Sequence, residues 1–151
     1  MQSNILINTF SVVIPTHNSV SFIDNALNSV LSQNRKPDEV IIVDDGSKDD
    51  TILYIQNHFM SLFLKKNIKL NLISNGHFGP GKTRNDGIKA SNSEWICFLD
   101  SDDEWHSHKI KEIEKAIEED RNINFFCHYE KFIKLDGRIK INEYGKNYNK
   151  N

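Results

Sequence analysis

Asp100, Asp102 and Asp103 place three carboxylates within four residues, directly after the apolar run Trp95-Ile96-Cys97-Phe98-Leu99. Like charges this close repel one another, and folding alone gives no reason to concentrate them. A divalent cation relieves the repulsion. Mg²⁺ characteristically takes one or two carboxylates and completes its shell with water and substrate phosphates. The apolar run suits a buried parallel strand, with the carboxylates at its C-terminal end. Open α/β sheets bind their ligands at that end. The plainer alternative is a solvated acidic loop leading into a helix that begins near His106.

Two other apolar runs end in the same way. Phe10 to Ile14 is β-branched and stops at Pro15-Thr16-His17-Asn18; Val40 to Val43 stops at Asp44-Asp45-Gly46-Ser47. If all three runs are parallel strands, the three polar clusters share one sheet edge, as in a nucleotide site. Asp45 can then accept hydrogen bonds from a base or ribose. A cation at Asp102 or Asp103 can neutralise a diphosphate. Arg84 offers a planar fork to phosphate or to a base carbonyl. Asp44 is open between a site residue and a turn residue, whereas Asp49 and Asp50 read as helix caps.

The elements that must position these residues follow from periodicity. Ser21 and Asp24 suggest a capping box for a helix to about Gln33, with Ile23, Ala26, Leu27, Val30 and Leu31 on its apolar face. A second helix is expected from about Asp50 to Leu64, burying Ile52, Ile55, Phe59 and Leu62. Ile68 to Ile73 reads as a strand, Gly76 to Gly81 as a glycine-rich loop, and Lys82 to Ala90 as a short helix. Gly87 weakens that helix by roughly 1 kcal/mol relative to Ala. After the acidic loop come an amphipathic helix (Ile110, Ile113, Ala116 and Ile117), a strand starting over Asn124 to Cys127, and a hairpin turning on Asp136-Gly137. The alternation of strands and helices implies an α/β fold, a mostly parallel sheet flanked by helices.

Composition bounds the remaining possibilities. The 151 residues suffice for one domain, and 38% hydrophobic with 26% charged residues is ordinary for a folded chain. A net charge of −2 argues against nucleic-acid partners and a basic membrane-surface role. No apolar run approaches the ~20 residues of a transmembrane segment, and Met1 to Thr9 lacks the features of a signal peptide. Cys97 and Cys127 read as reduced thiols. A cytoplasmic location is expected, with peripheral attachment to the inner membrane face compatible with it.

Four stretches together carry a resemblance: Val12-Val-Ile-Pro-Thr-His-Asn18, Val43-Asp-Asp-Gly-Ser47, Thr83-Arg-Asn-Asp-Gly87 and Phe98-Leu-Asp-Ser-Asp-Asp103. In order and spacing, over about residues 10–120, the chain resembles the family 2 glycosyltransferases. The resemblance implies a Rossmann-like GT-A fold, a nucleotide-sugar donor (usually a UDP-sugar), Mg²⁺ or Mn²⁺, a carbohydrate or lipid-linked acceptor, and inversion at the anomeric carbon. It further implies that Pro15, Thr16 and Asn18 pack around the base and Asp45 bonds the uracil ring. Arg84 would approach base or diphosphate, Asp100 would face the ribose, and Asp102 would reach the metal, with Asp103 as alternative ligand. His17 stands where tyrosine is more common. The family's catalytic base lies in an acidic motif beyond the hairpin, and nothing marks Glu130 or Glu143 for that role. The chain therefore reads as truncated on the acceptor side: a shortened product, a fragment, or a short member needing a protein partner to supply the missing half. Cell-surface polysaccharide assembly is the implied setting. A catalytically silent nucleotide-binding module is the non-enzymatic alternative.

A rival pattern is present. Gly76-His-Phe-Gly-Pro-Gly81-Lys82-Thr83 matches G-x-x-x-x-G-K-[ST], between a strand and a helix. On that reading Lys82 reaches β/γ-phosphates and Thr83 holds Mg²⁺. It ranks second, because it follows the third strand and leaves the clusters at Pro15 to Asn18 and Asp44 to Ser47 unexplained. His77, His106, His108 and His128 read as surface or helix-start residues.

Overall fold

The computed structural model describes residues 8–134 and 136–142. It divides into two compact units, Met1–Glu114 and Lys115–Asn151. The first unit contains β1 (Phe10–Thr16), α1 (Ile23–Leu31), β2 (Glu39–Asp44), α2 (Thr51–His58), α3 (Met60–Lys65), β3 (Lys69–Ser74), α4 (Pro80–Ala90) and β4 (Trp95–Phe98). Helix α5 (Lys109–Glu119) crosses into the second unit, which holds the hairpin β5 (Glu130–Ile133) and β6 (Ile139–Asn142).

The sheet of the first unit runs β3-β2-β1-β4 and is parallel throughout. β1 and β2 sit in its middle, which explains their unbroken apolar sequences: both faces are covered. Val13, Ile41 and Val43 form one fully buried cluster, with Ile73, Ala90 and Ile96 packed against it. Residues of the opposite parity, Val12, Ile14, Val40 and Ile42, are equally buried, as are Ile23, Ala26, Leu27 and Val30 of α1. Each such side chain contributes about 2 kcal/mol of transfer free energy.

Register carries the loops to a common edge. Thr16 pairs with Asp44, and Asp44 with Ser74. The ladder continues past the strand ends: Asp45 N–H donates to the Thr16 carbonyl (2.9 Å), Asn75 N–H to Asp44 (2.9 Å) and Leu99 N–H to Val13 (3.1 Å). The loops after β1, β2, β3 and β4 thus emerge side by side.

Several local expectations are corrected. The capping box does not form. Asp24 instead accepts a hydrogen bond from the Tyr54 hydroxyl (2.9 Å), and the Phe22 and Ile23 amides donate to the Ser19 carbonyl. The second helix breaks at Phe59 into α2 and α3. The buried stripe becomes Thr51, Ile55, Phe59 and Phe63, while Leu62 is exposed. β4 is not buried: it lies at the sheet edge, and Phe98 remains 41% exposed. Asn124 to Cys127 forms no strand, and Phe125 is exposed. The hairpin does form, but its turn closes one residue early. Gly137 N–H donates to the Lys134 carbonyl (2.8 Å), and Gly137 occupies φ +80° as the last loop residue.

Candidate active site

At the C-terminal sheet edge lies an open cleft of about 370 Å³. Of the residues expected there, Pro15, Thr16, Asp45, Arg84, Asp100 and Asp102 all line it, joined by His17, Phe22, His77, Pro80, Thr83 and Ser101. Four separate loops or helix starts contribute, so the strand order assembles what the sequence disperses.

Asp45 is the most constrained of these groups. It is buried, and its carboxylate accepts hydrogen bonds from Phe78 N–H (2.7 Å) and Gly79 N–H (3.0 Å). The Phe78 amide, followed by Gly79 and the adjacent His77, holds its carboxyl below the ordinary carboxylate value despite burial. These bonds bring the glycine-rich loop down onto the loop after β2. Gly79 makes this possible at φ +90°, a backbone that L side chains rarely adopt, and Pro80 then starts α4 where no intrahelical donor is lost.

Arg84 projects from α4 and forms an ion pair with Asp100. Asp100 is thereby partly neutralised, and the exposed Asp102 is the carboxylate left facing the cleft without a cationic partner among the described residues. Asp103 is exposed and does not line the cleft; its N–H donates to the Asp100 carbonyl (3.1 Å), shaping the acidic turn. Thr16 Oγ1 is buried at the cleft with no hydrogen-bond partner among the described residues, an orphan polar atom where a ligand could supply one.

Asn18 lies outside the cleft lining. It adopts φ +49°, its Oδ1 accepts from Lys48 N–H (2.8 Å), and its N–H donates to Ser47 Oγ (2.8 Å). Its place is to tie the loop after β1 to the loop after β2. Asp44 resolves as a turn residue, accepting from the Ser47 N–H (3.0 Å) and hydroxyl. Ser19 links three loops: its N–H donates to Thr51 Oγ1 (2.8 Å) and its hydroxyl lies 3.1 Å from that of Ser101.

His17 and His77 are the residues that sequence reasoning missed. The Nδ1 of each lies near the Asp45 carbonyl, at 2.9 and 3.1 Å, and their rings are 4.6 Å apart. Both stand in stretches the sequence singles out, the loop after β1 and the glycine-rich loop; His77 reaches the cleft because Asp45 holds its loop. The phosphate-loop geometry does not form. Thr83 is buried and donates its hydroxyl to the Gly79 carbonyl (2.8 Å), and Lys82 pairs with Asp86 and does not line the cleft.

The parallel α/β sheet with its cleft at the C-terminal edge is the GT-A fold of the solved glycosyltransferases it superposes on. The chain superposes on Staphylococcus aureus TarS 1-349 in complex with UDP with a TM-score of 0.63 at 34% identity, covering 75% of this chain and 33% of that one. The fold alone is shared with the Pyrobaculum calidifontis mannosyltransferase PcManGT, solved with GDP-Man and Mn²⁺ (TM-score 0.64, 20% identity, 74% of this chain and 33% of that one). The model of "Glycosyl transferase family 2" matches residues 11–150, and the chain belongs to that family. Among its relatives are the S. aureus poly(ribitol-phosphate) beta-N-acetylglucosaminyltransferase TarS and the Erwinia amylovora amylovoran biosynthesis glycosyltransferase AmsB. TarS is 35% identical over 112 residues, which are 73% of this chain and 19% of TarS. AmsB is 37% identical over 111 residues, 73% of this chain and 36% of AmsB. The chain thus spans between about a fifth and a little over a third of these relatives. No helix among the described residues is long and apolar enough to cross a membrane.

Proposed function

We propose that this chain is the donor-binding part of a glycosyltransferase that takes a UDP-sugar and transfers the sugar, with inversion, to a carbohydrate or lipid-linked acceptor in cell-surface polysaccharide assembly. The observation that carries the reading is the convergence of Asp45, Arg84 and Asp102 on one cleft from the loop after β2, from α4 and from the loop after β4. The TarS complex with UDP, and the poly(ribitol-phosphate) and amylovoran biosynthesis roles named for TarS and AmsB, support it.

In this reading Asp45 accepts from the nucleobase at one end, exchanging a loop amide for the ligand's N–H. Thr16 Oγ1 gains its missing partner there. Arg84 turns from Asp100 toward the diphosphate, leaving Asp100 for the ribose. Asp102, with Asp103 next to it, would hold Mg²⁺ or Mn²⁺. The residues fit that ion: an exposed carboxylate facing the cleft, with room for phosphate oxygens. When bound, the ion supplies Lewis-acid stabilisation of charge on the leaving diphosphate. Direct displacement then needs a general base to take the acceptor proton. Glu130 is exposed on β5 in the second unit, and Glu143 lies outside the described residues, so neither is assigned.

The test is a tryptophan-fluorescence titration with UDP, with and without Mn²⁺ and after EDTA, using ATP as comparator. Saturable, metal-dependent UDP binding that weakens about tenfold or more in Asp102→Ala is expected, in line with loss of a charge-assisted contact. Tight ATP binding that depends on Lys82 would overturn the reading. Transfer to an added acceptor separates an enzyme from a silent binding module.

A further inference from the structure

We infer that His17, Asp45 and His77 form a binding site for a zinc-class divalent cation at the nucleobase end of the cleft, and that its occupancy excludes the nucleotide. The second half of this inference rests on the proposed role of Asp45 in donor binding.

One ligand atom from each of the three residues lies within 4.8 Å of the other two. The set is two imidazoles and one carboxylate, which suits zinc and its neighbours better than Mg²⁺. Three protein ligands leave a fourth position for water, as in open zinc sites. Donors about 2.1 Å from a tetrahedral ion are about 3.4 Å apart, so the triad must contract by little more than an ångström. Both histidine side chains are exposed, and the contraction exchanges their present hydrogen bonds for the ion: Nδ1 of each to the Asp45 carbonyl, and the Asn18 side-chain amide to His17 Nε2 at 2.9 Å. Asp45 is the fixed point, its carboxylate oriented by the Phe78 and Gly79 amides in the way outer hydrogen bonds orient metal ligands. The His77 Nδ1 already lies 3.1 Å from that carboxylate.

This site is distinct from the acidic turn. Asp102 belongs to the loop after β4, is a hard oxygen ligand, and takes no part in the triad. The two sites therefore sort cations by chemistry: imidazole collects zinc-class ions, and the carboxylate edge collects Mg²⁺ or Mn²⁺. A cation on Asp45 occupies the acceptor that a base N–H would use, so the two ligands compete. Linkage requires that each weaken the other by the same factor.

The experiment uses Co²⁺ as a spectroscopic stand-in for zinc, titrated into the full chain. The expected result is one equivalent bound with the intense visible bands of a tetrahedral ion. These bands should be lost in His77→Ala and His17→Ala but retained in Asp102→Ala. Circular dichroism of both histidine variants checks that they fold, and either alone suffices to locate the ion. Mg²⁺-saturated UDP should weaken Co²⁺ binding by about tenfold or more, with Mg²⁺-saturated ADP as the control for chelation. Absence of tetrahedral bands, or binding that survives His77→Ala and vanishes in Asp102→Ala, overturns the site. Bands that persist at full strength under saturating UDP overturn the exclusion. If the triad binds Co²⁺ as described and UDP binds under no metal condition, the donor reading fails and the metal site stands.

Discussion

Replacing Gly87 by alanine sets two effects against each other within one residue. Helix propensity alone favours the change by about 1 kcal/mol. The structure opposes it. A Cβ at Gly87 would stand 2.3 Å from Val13 Cγ1, well inside the 3.4 Å at which ordinary contact begins. Val13 is fully buried in the central strand and cannot swing aside. The relief must come from α4 lifting off β1. Overpacking of this size costs about 3 kcal/mol, which leaves a net loss of about 2 kcal/mol. Because α4 also carries Arg84, the lift draws the guanidinium away from the cleft, so nucleotide affinity should fall along with stability. Urea denaturation followed by far-ultraviolet circular dichroism measures the first effect, and UDP titration the second. The double variant Gly87→Ala with Val13→Ala should show coupling, losing less than the sum of its parts. A Gly87→Ala protein as stable as the parent, with additive behaviour in the double variant, would refute the close approach of α4 to β1.

Other consequences can be measured as readily. Burial alone would push the Glu39 carboxyl up, but the Ser11 hydroxyl, the Asn92 amide and Lys69 together hold it below its ordinary 4.5. A depressed folded value means the stabilisation is complete above about pH 4.5 and lost as pH falls through the folded value. Glu39→Gln should therefore cost about 2 kcal/mol at pH 7, and the gap from the parent should close on acidification; a gap that widens toward pH 3 would contradict this. Gly79→Ala and Gly81→Ala form a matched pair. Neither Cβ meets an atom within 4 Å, but Gly79 holds φ +90° and Gly81 is helical. The first should lose about 2–3 kcal/mol and the second gain about 1 kcal/mol in thermal denaturation. Burial pushes the Cys97 thiol up to about 11. At pH 8 roughly a thousandth of it is thiolate, so iodoacetamide should label the exposed Cys127 well before Cys97, as read by peptide mass.

The three polar clusters were legible because each stands directly after an apolar strand, and parallel pairing leaves one edge on which to put them. Asp44 and Asp45 show where reading stops. The sequence offers two adjacent carboxylates, but only the pleat decides that one closes a turn and the other faces the cleft. His77 was invisible for a different reason: its position depends on Asp45 gripping the Gly76 to Gly79 loop, a contact between residues more than thirty apart. The missing strand at Asn124 to Cys127 and the half-exposed β4 share one cause. Apolar runs were read as buried strands, yet burial needs neighbours on both faces and both edges, and a run does not reveal whether it has them. Gly87 misled through propensity, since its helix cost was visible and the Val13 contact that requires it was not.

β1 lies between β2 and β4, and these two pairings differ greatly in reach. Val12 meets Val40 on one side and Cys97 on the other. Closing the longer loop costs more chain entropy, so β4 should join last. The acidic turn follows β4 immediately, so the Asp45 end of the cleft should exist in folding time before the Asp102 end. A half-built species would offer Asp45 and the two imidazoles without Arg84's partner. Pulsed hydrogen exchange during refolding should find the Val12, Val40 and Lys69 amides protected ahead of Cys97. Any ion or nucleotide able to bind the early end would then act on the path by which the protein forms as well as on the finished molecule.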